Sequence, residues 1–398
     1  MDSYFSSDEV EVLAKEMRQP VVAIDASRSR SGGAKAHLVG ILSAADPLRS
    51  GIAAVHVWSY KELLDKLPDE PWLIKHNPIA LEQTLAHQLF WQFFKLPAEI
   101  KVAGCDVLLT TDAGSICPYR PAVSMSRDML SFEPGEMERY GFSIARLRLL
   151  LLRYVQVSSL KRATGALFLT NYASNVIQKF TGRLFNARVI PHGISEQFRR
   201  DPVNRLDSQG DHVRCVYISN ADMYKHQWHV IRAIKTIRDS GVSISLHLVG
   251  GGSGPAKSLL HAALRECDPQ REFVELVDAV RHSEIPAYLA DADIFIFASS
   301  CENMPNTLVE AMASGLPIAC SDRGPMPEIL KDAGVYFDPE NHESISTAVF
   351  ALLRSHELRK KLAERAYQLS TQYSWARCAR ETWSYLSDTW AAHQSERK

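Results

Sequence analysis

Residues 292–321 read "ADIFIFASSCENMPNTLVEAMASGLPIACS", and this stretch decides the fold. "ADIFIFAS" is a short apolar run that reads as a strand buried on both faces. "CENMP" is a loop, and a helix is predicted to start near Pro305–Asn306, because proline is tolerated in a first helical turn. Gly315 and Pro317 stop that helix, and "LPIACS" is the next strand. Leu308, Val309 and Met312 share the face that packs on a sheet, which leaves Glu310 on a different face. Strand, helix and strand in succession describe a parallel unit covered on both sides.

The same pattern recurs along the chain. In the first half "PVVAIDAS" (20–27), "IAAVHVWS" (52–59), "CDVLLTT" (105–111), "PAVSMS" (121–126) and "GALFLT" (165–170) read as strands. In the second half "VRCVYIS" (213–219), "SISLHLVG" (243–250), "EFVELV" (272–277) and the two strands above do so. Two series of this kind imply two Rossmann-like domains, in keeping with a chain of 398 residues. The polar segment "PHGISEQFRRDPVNRLDSQGDH" (191–212) is the predicted seam. The domains are accordingly placed at 1–195 and 196–374, with an aromatic-rich terminal helix, 375–398, packing on the first domain.

Composition narrows the class. Hydrophobic residues make up 46%, charged residues 23%, and the formal net charge is -1, which fits a globular protein and gives no sign of a nucleic-acid partner. The seven cysteines are scattered without metal-ligand spacing, so a reduced, cytoplasmic chain is expected. "MDSYFSSDEVEVLAKEM" is not a signal peptide, and no apolar run is long enough to span a bilayer.

Charge is uneven in one place. From Arg139 to Ser195 there is no acidic residue, against nine basic ones: Arg139, Arg146, Arg148, Arg153, Lys161, Arg162, Lys179, Arg183 and Arg188. "IARLRLLLLRYVQVSSLKR" is a basic amphipathic pattern that suits an anionic membrane surface, although a leucine-rich helix packed in the core is the preferred reading. Core packing is likewise preferred for the aromatic cluster "LFWQFFKL" (89–96).

In an open α/β sheet, ligands bind beyond the carboxyl ends of the strands, where the "CENMP" loop lies. The helix after it offers unpaired N–H groups and a positive dipole end, which suit a phosphate. Glu302 and Glu310 would repel that phosphate, so if they face the site they accept hydrogen bonds from sugar hydroxyls. Spacing alone also allows a loop carboxylate and a solvated helix glutamate. "GGGSG" (250–254) is read as a turn beside a nucleotide, and "DAD" (291–293) as a turn before a strand and not a metal site. His192 and His226 are read as hydrogen-bonded structural residues.

Glu302 and Glu310, separated by seven residues and followed by "AMASGLPIACS" and "GPMPEIL", resemble the retaining glycosyltransferases of family 4. "VIPHGISEQF" (189–198) is similar to that family's interdomain segment. The resemblance implies the GT-B fold, an α/β architecture of two facing Rossmann-like domains with parallel sheets and a cleft between them. It places a nucleotide-sugar donor on the second domain and a glycan or lipid-linked acceptor on the first, with no metal and no cofactor. Glu302 would bond donor-sugar hydroxyls, Glu310 would bind the ribose, and Asn303, Met304, Pro305, Asn306 and Thr307 would approach sugar and diphosphate. Lys225 would neutralise the diphosphate, and Gly32 and Gly33 would close over donor and acceptor.

The chain departs from that family at two points. Ser219-Asn220-Ala221 stand where Gly-Arg-Leu is usual, so Lys225 acts alone or is joined by Arg323 or Arg127. Ser126, Arg127 and Asp128 stand where a histidine often ends the strand. The expectation is a GDP-, UDP- or dTDP-linked donor, with a lean to mannose, and a cytoplasmic hexosyltransferase peripheral at the inner membrane face. A catalytically weak nucleotide-sugar-binding subunit and, from the glycine-rich loops, a nicotinamide-dependent oxidoreductase are the alternatives.

Overall fold

The computed structural model describes residues 18–30, 32–44, 46–202 and 212–397. The expectations for residues 1–17, and for the seam where it runs through 203–211, lie outside the described residues, as does Lys398. The rest forms two parallel sheets. The first has the order β3-β2-β1-β4-β5-β6-β7, built from β1 (Val21–Asp25), β2 (Ala54–Trp58), β3 (Leu73–His76), β4 (Val107–Thr110), β5 (Ala122–Met125), β6 (Gly165–Phe168) and β7 (Ala187–Val189). The second has the order β10-β9-β8-β11-β12-β13, from β8 (Val213–Ile218), β9 (Ile244–Val249), β10 (Val274–Val277), β11 (Ile294–Phe297), β12 (Ile318–Ser321) and β13 (Val335–Phe337).

Every pairing is parallel, and the central strands are buried on both faces, as the continuous apolar runs require. Three strands absent from the sequence reading, β3, β7 and β13, lie at sheet edges, where half-exposed positions break the apolar run. In each sheet the strand order reverses once, between β1 and β4 and between β8 and β11. Loops leaving those strands at their carboxyl ends diverge there and open a crevice.

Six helices frame or flank that crevice: α1 (Gly32–Ala44), α2 (Ile144–Arg162), α3 (Asn171–Thr181), α4 (Gln227–Asp239), α5 (Asn306–Ala313) and α6 (Trp375–Ser395). The start of α5 at Asn306 and its end before Gly315, at φ +66°, match the expected helix. α6 leaves the second sheet and packs on α1. A Cβ added at Gly40 would sit 2.3 Å from the Trp375 ring, so α1 needs a glycine there to accept the indole. Tyr385 of α6 donates to the carbonyls of Ala166 and Asn186 in the first domain. Beside this, Ile194 bridges to Ser374, and Gly193 lies against the Trp375 backbone.

The preferred reading of the leucine-rich segment is overturned. In α2 only Gln156, Ser159 and Leu160 are buried, while Ile144, Leu147, Leu150, Leu151 and Tyr154 face solvent. "LFWQFFKL" divides: Trp91, Gln92 and Leu96 are buried, whereas Phe90, Phe93 and Phe94 are exposed.

Candidate functional site

The two reversal points face each other across a cleft. On the second sheet, β8 leads into Ser219–Lys225 and β11 into Ser299–Pro305, so these loops flank one crevice. Lys225 Nζ donates to Glu302 Oε1, a contact joining the two loops, with both side chains largely shielded. Tyr217 OH, on β8, fixes the Lys225 carbonyl at 2.8 Å. The ammonium also sits over the Tyr224 ring at 5.0 Å. A cation and a carboxylate held in register beside a helix N-terminus can receive a phosphate and hydroxyls together.

Asn306 opens α5 and meets the other domain. His192 Nδ1 lies 3.2 Å from Asn306 Oδ1, which turns Asn306 Nδ2 toward Gly33, 3.2 Å from where a Cβ there would stand. Arg127 Nη2 is 3.7 Å from the same point. Any larger residue at 33 would crowd these two donors. Gly32 has no atom within 4 Å of an added Cβ and lies open.

Several polar atoms here are buried without a partner among the described residues: both ring nitrogens of His37, Arg127 Nε and Nη1, His192 Nε2, and both side-chain amide atoms of Asn303. Buried polar groups are ordinarily hydrogen-bonded, so such a convergence marks a place where a polar ligand or water completes the set. Burial lowers the Arg127 pKa to about 10 and, with Arg127 adding to the effect, the His192 pKa to about 3. His192 is therefore neutral at physiological pH. Asn303, Met304 and Pro305 are buried and Thr307 half-buried; Thr170 donates to the Asn303 carbonyl at 2.9 Å, and His192 N to Met304 Sδ at 3.1 Å.

Glu310 is buried, 6% exposed, so the solvated-helix alternative fails. Its Oε1 meets His282 Nε2 at 2.7 Å, and that hydrogen bond raises the histidine pKa. Glu310 Oε2 has no partner among the described residues. Nothing in "AVRHSEIP" marked His282, because the pairing joins the segment after β10 to helix α5, 28 residues further along the chain.

At the departure from the family pattern, Asn220 is exposed, and Ala221 bridges to Gly252 of the glycine-rich turn. Gly250 holds φ +141°, and a Cβ there would stand 2.2 Å from the Ser219 carbonyl, so the turn presses directly on the Asn220 loop. Ala221, Gln227, Gly250, Lys257, Val277 and Asp278 line a small cleft beside it. Arg323 is committed elsewhere, to Asp322 at 3.2 Å and Asp338 at 3.1 Å. Asp293 accepts from Arg214 N at 2.8 Å, and Asp291 pairs with the Arg214 guanidinium at 3.0 Å, so "DAD" serves the start of β8 and β11.

A strap crosses the cleft that sequence reasoning missed. Between β5 and α2, buried Glu136 accepts from Ser300 Oγ at 2.5 Å and from Arg139 at 2.8 Å. Arg139 continues to Glu340 of the second domain, with contacts of 2.8 and 3.0 Å. His226, at φ +49°, meets Ser300 Oγ at 2.9 Å, and its pKa is lowered to about 3 by burial and then by Arg139. Glu328 accepts from the Asn171 and Tyr172 amides at the start of α3. Tyr172 in turn donates to Glu133, whose pKa burial raises to about 7.

Residues 201–369 match the family model described as "Glycosyl transferases group 1". The O-antigen chain mannosyltransferase B of Escherichia coli is 28% identical over 110 residues, covering 28% of this chain and 29% of that protein. The putative teichuronic acid biosynthesis glycosyltransferase TuaC of Bacillus subtilis (strain 168) is 24% identical over 218 residues, 52% of each chain. The MMP alpha-(1->4)-mannosyltransferase of Mycolicibacterium hassiacum is 25% identical over 218 residues, 53% of this chain and 50% of that one. The chain thus spans between about a third and about half of the length of these relatives.

Whole-chain likeness is structural. A sucrose-phosphate synthase from Thermosynechococcus elongatus superposes with a TM-score of 0.74 at 17% identity, covering 94% of this chain and 100% of that one. Anabaena HepE, solved in complex with UDP, gives 0.69 at 18% identity, covering 93% and 100%. At these identities the likeness is one of fold, and the fold is GT-B: two α/β domains whose parallel sheets face across a cleft.

Proposed function

We propose that the chain is a retaining, metal-independent glycosyltransferase that moves a sugar from a nucleotide donor to a glycan or lipid-linked glycan. The observation that carries this reading is the Lys225–Glu302 pair beside the start of α5, faced by Arg127 and Gly33 from the other domain. The match of residues 201–369 to group 1 glycosyl transferases supports it, as does the UDP bound by the fold relative HepE. In this reading residues 196–374 hold the donor, and residues 1–195, with 375–398 packed on them, hold the acceptor.

Breaking an anomeric carbon–diphosphate bond builds negative charge on the leaving phosphate and oxocarbenium character on the sugar. The site answers with Lys225, the N–H groups opening α5 and, from the first domain, Arg127. The diphosphate takes Lys225 from Glu302, which frees the carboxylate to accept from sugar hydroxyls. Two arginines could replace the missing guanidinium at Asn220. Arg127 faces the cleft with two nitrogens that have no partner among the described residues, while Arg323 is held by two aspartates. Glu310, close enough to the same helix start, offers its Oε2 to the ribose. Asn303 contributes its side-chain amide, and Gly32 and Gly33 leave room for the diphosphate.

The acceptor hydroxyl attacks on the face that the diphosphate leaves, and a donor phosphate oxygen takes its proton. Approach of the domains excludes water and so limits hydrolysis. Two mannosyltransferases among the relatives support a lean to a GDP-mannose-type donor, and HepE supports a UDP-sugar. The proposed setting is the cytoplasm, peripheral at the inner membrane face, where lipid-linked acceptors are presented.

A thermal-shift panel of UDP-, GDP- and dTDP-sugars tests the reading, since a ligand at a hundred times its Kd stabilises by about 2.7 kcal/mol. The matching donor raises Tm, and Glu302→Ala abolishes transfer while the chain stays folded. Undiminished transfer by Glu302→Ala removes the assignment. Exposed Asn220 in place of a cation favours a second reading, a nucleotide-sugar-binding subunit with little turnover; a Tm shift without transfer to any acceptor distinguishes it.

A further inference from the structure

α2 carries more apolar surface into solvent than an isolated enzyme needs. Ile144, Leu147, Leu151 and Tyr154 are 87%, 57%, 61% and 75% exposed. At about 100° per residue these four positions fall on one stripe, on roughly the opposite side of the helix from buried Gln156, Ser159 and Leu160. Phe142, just before the helix, is fully exposed, and Phe180 of α3 is partly exposed with the Arg153 guanidinium 5.0 Å above its ring. A contiguous apolar stripe turned away from its own core marks a surface that something covers.

Charge selects the partner. Nine basic and no acidic residues lie between Arg139 and Ser195 in a chain whose formal net charge is -1. Arg148, Lys161, Arg162 and Lys179 are exposed on α2 and α3. A second copy docking through the same face would set these cations against their own kind. An anionic lipid surface takes both components, with the stripe entering the acyl boundary and the cations at the phosphates.

We infer that the outward face of α2, with Phe142 and Phe180 beside it, docks on an anionic lipid bilayer. The helix begins directly after the strap residues Glu136 and Arg139, which touch the second domain. Docking there holds the mouth of the cleft against the membrane, where a lipid-linked acceptor enters. This last step rests on the glycosyltransferase reading, whereas the docking itself does not.

Sedimentation of the full chain with phosphatidylcholine vesicles, with and without phosphatidylglycerol, tests it without any substrate. The chain co-sediments with the anionic vesicles, less so as salt rises, and Leu147→Glu/Leu151→Glu abolishes binding. Arg148→Ala weakens it about five-fold, the effect of one cation at an anionic surface. All these positions are exposed, so melting curves are expected to be unchanged, and the double variant retains the nucleotide-sugar Tm shift. Absence of binding, equal binding by the double variant, or a dimer that Leu147→Glu/Leu151→Glu dissociates would each overturn the docking. Retention of the Tm shift in that event leaves the donor site standing, so the two failures are separable.

Discussion

Replacing Lys225 by methionine keeps most of the side chain's unbranched length and removes its charge. The ammonium links the loops after β8 and β11, and its side chain and that of Glu302 are 12% and 16% exposed. If it stabilises the departing diphosphate, its removal costs about 3 kcal/mol of transition-state stabilisation, or on the order of a hundred-fold in kcat. The folded chain suffers less. Glu302 loses a partner at the edge of solvent, a cost of about 1 to 3 kcal/mol that lowers Tm without unfolding the protein. Transfer from the donor identified by the thermal-shift panel, measured at saturating substrate, reads the first effect, and a melting curve reads the second. Lys225→Arg restores part of kcat because charge returns in a different shape. Undiminished kcat in Lys225→Met would exclude the ammonium from the stabilisation of the leaving group. So would a loss that Glu302→Gln repairs in the double variant, because the cation would then matter only as a partner of the carboxylate.

Arg127→Met is expected to lower kcat by about ten-fold or more, as a donor lost at the leaving group should, whereas Arg323→Met leaves kcat unchanged; the same transfer assay compares them. Arg139→Ala removes the link between Glu136 and Glu340, and small-angle scattering should show a larger radius of gyration than for the wild type. Glu133, whose pKa is raised to about 7 by burial, favours its protonated form in the folded state. Its contribution is therefore fully present below the usual carboxylate range and is lost as pH rises through about 7. Glu133→Gln should accordingly raise Tm at pH 8 relative to the wild type and change it little at pH 4, which a pair of melting curves decides.

The sheets were legible because buried parallel strands leave continuous apolar runs, as in "ADIFIFAS". The edge strands β3, β7 and β13 were not, since "LIKH" and "ARV" are short and mostly half-exposed or exposed, and so look like loops. The outward turn of α2 was misread for a related reason: leucines at helical spacing show that a helix has an apolar face without showing what covers it. In the candidate site, the loop of Glu302 could be placed because it follows the carboxyl end of an apolar strand, whereas Lys225 and Asn306 were legible only through the family resemblance. His37, His192 and Arg127 converge from three separate segments of the chain, and no spacing rule links them. The strap from Glu136 through Arg139 to Glu340 spans 201 residues in its last contact, a separation at which sequence carries no pairing signal.

The chain crosses between the two sheets after β7 and again before α6, and the two crossings touch at Ile194 and Ser374. Two covalent crossings at one spot act as a door's single knuckle: rotation about it has to release the contacts across the cleft, Arg139 to Glu340 and Thr170 to Asn303 among them, whereas sliding or twisting must also break the seating of Trp375 on Gly40 and Gly193. His192 lies two residues from that knuckle and holds Asn306 at the start of α5. The angle of the door and the aim of the Asn306 amide are thereby set by the same few residues, so slack introduced at Gly193 or Trp375 reaches both domains at once.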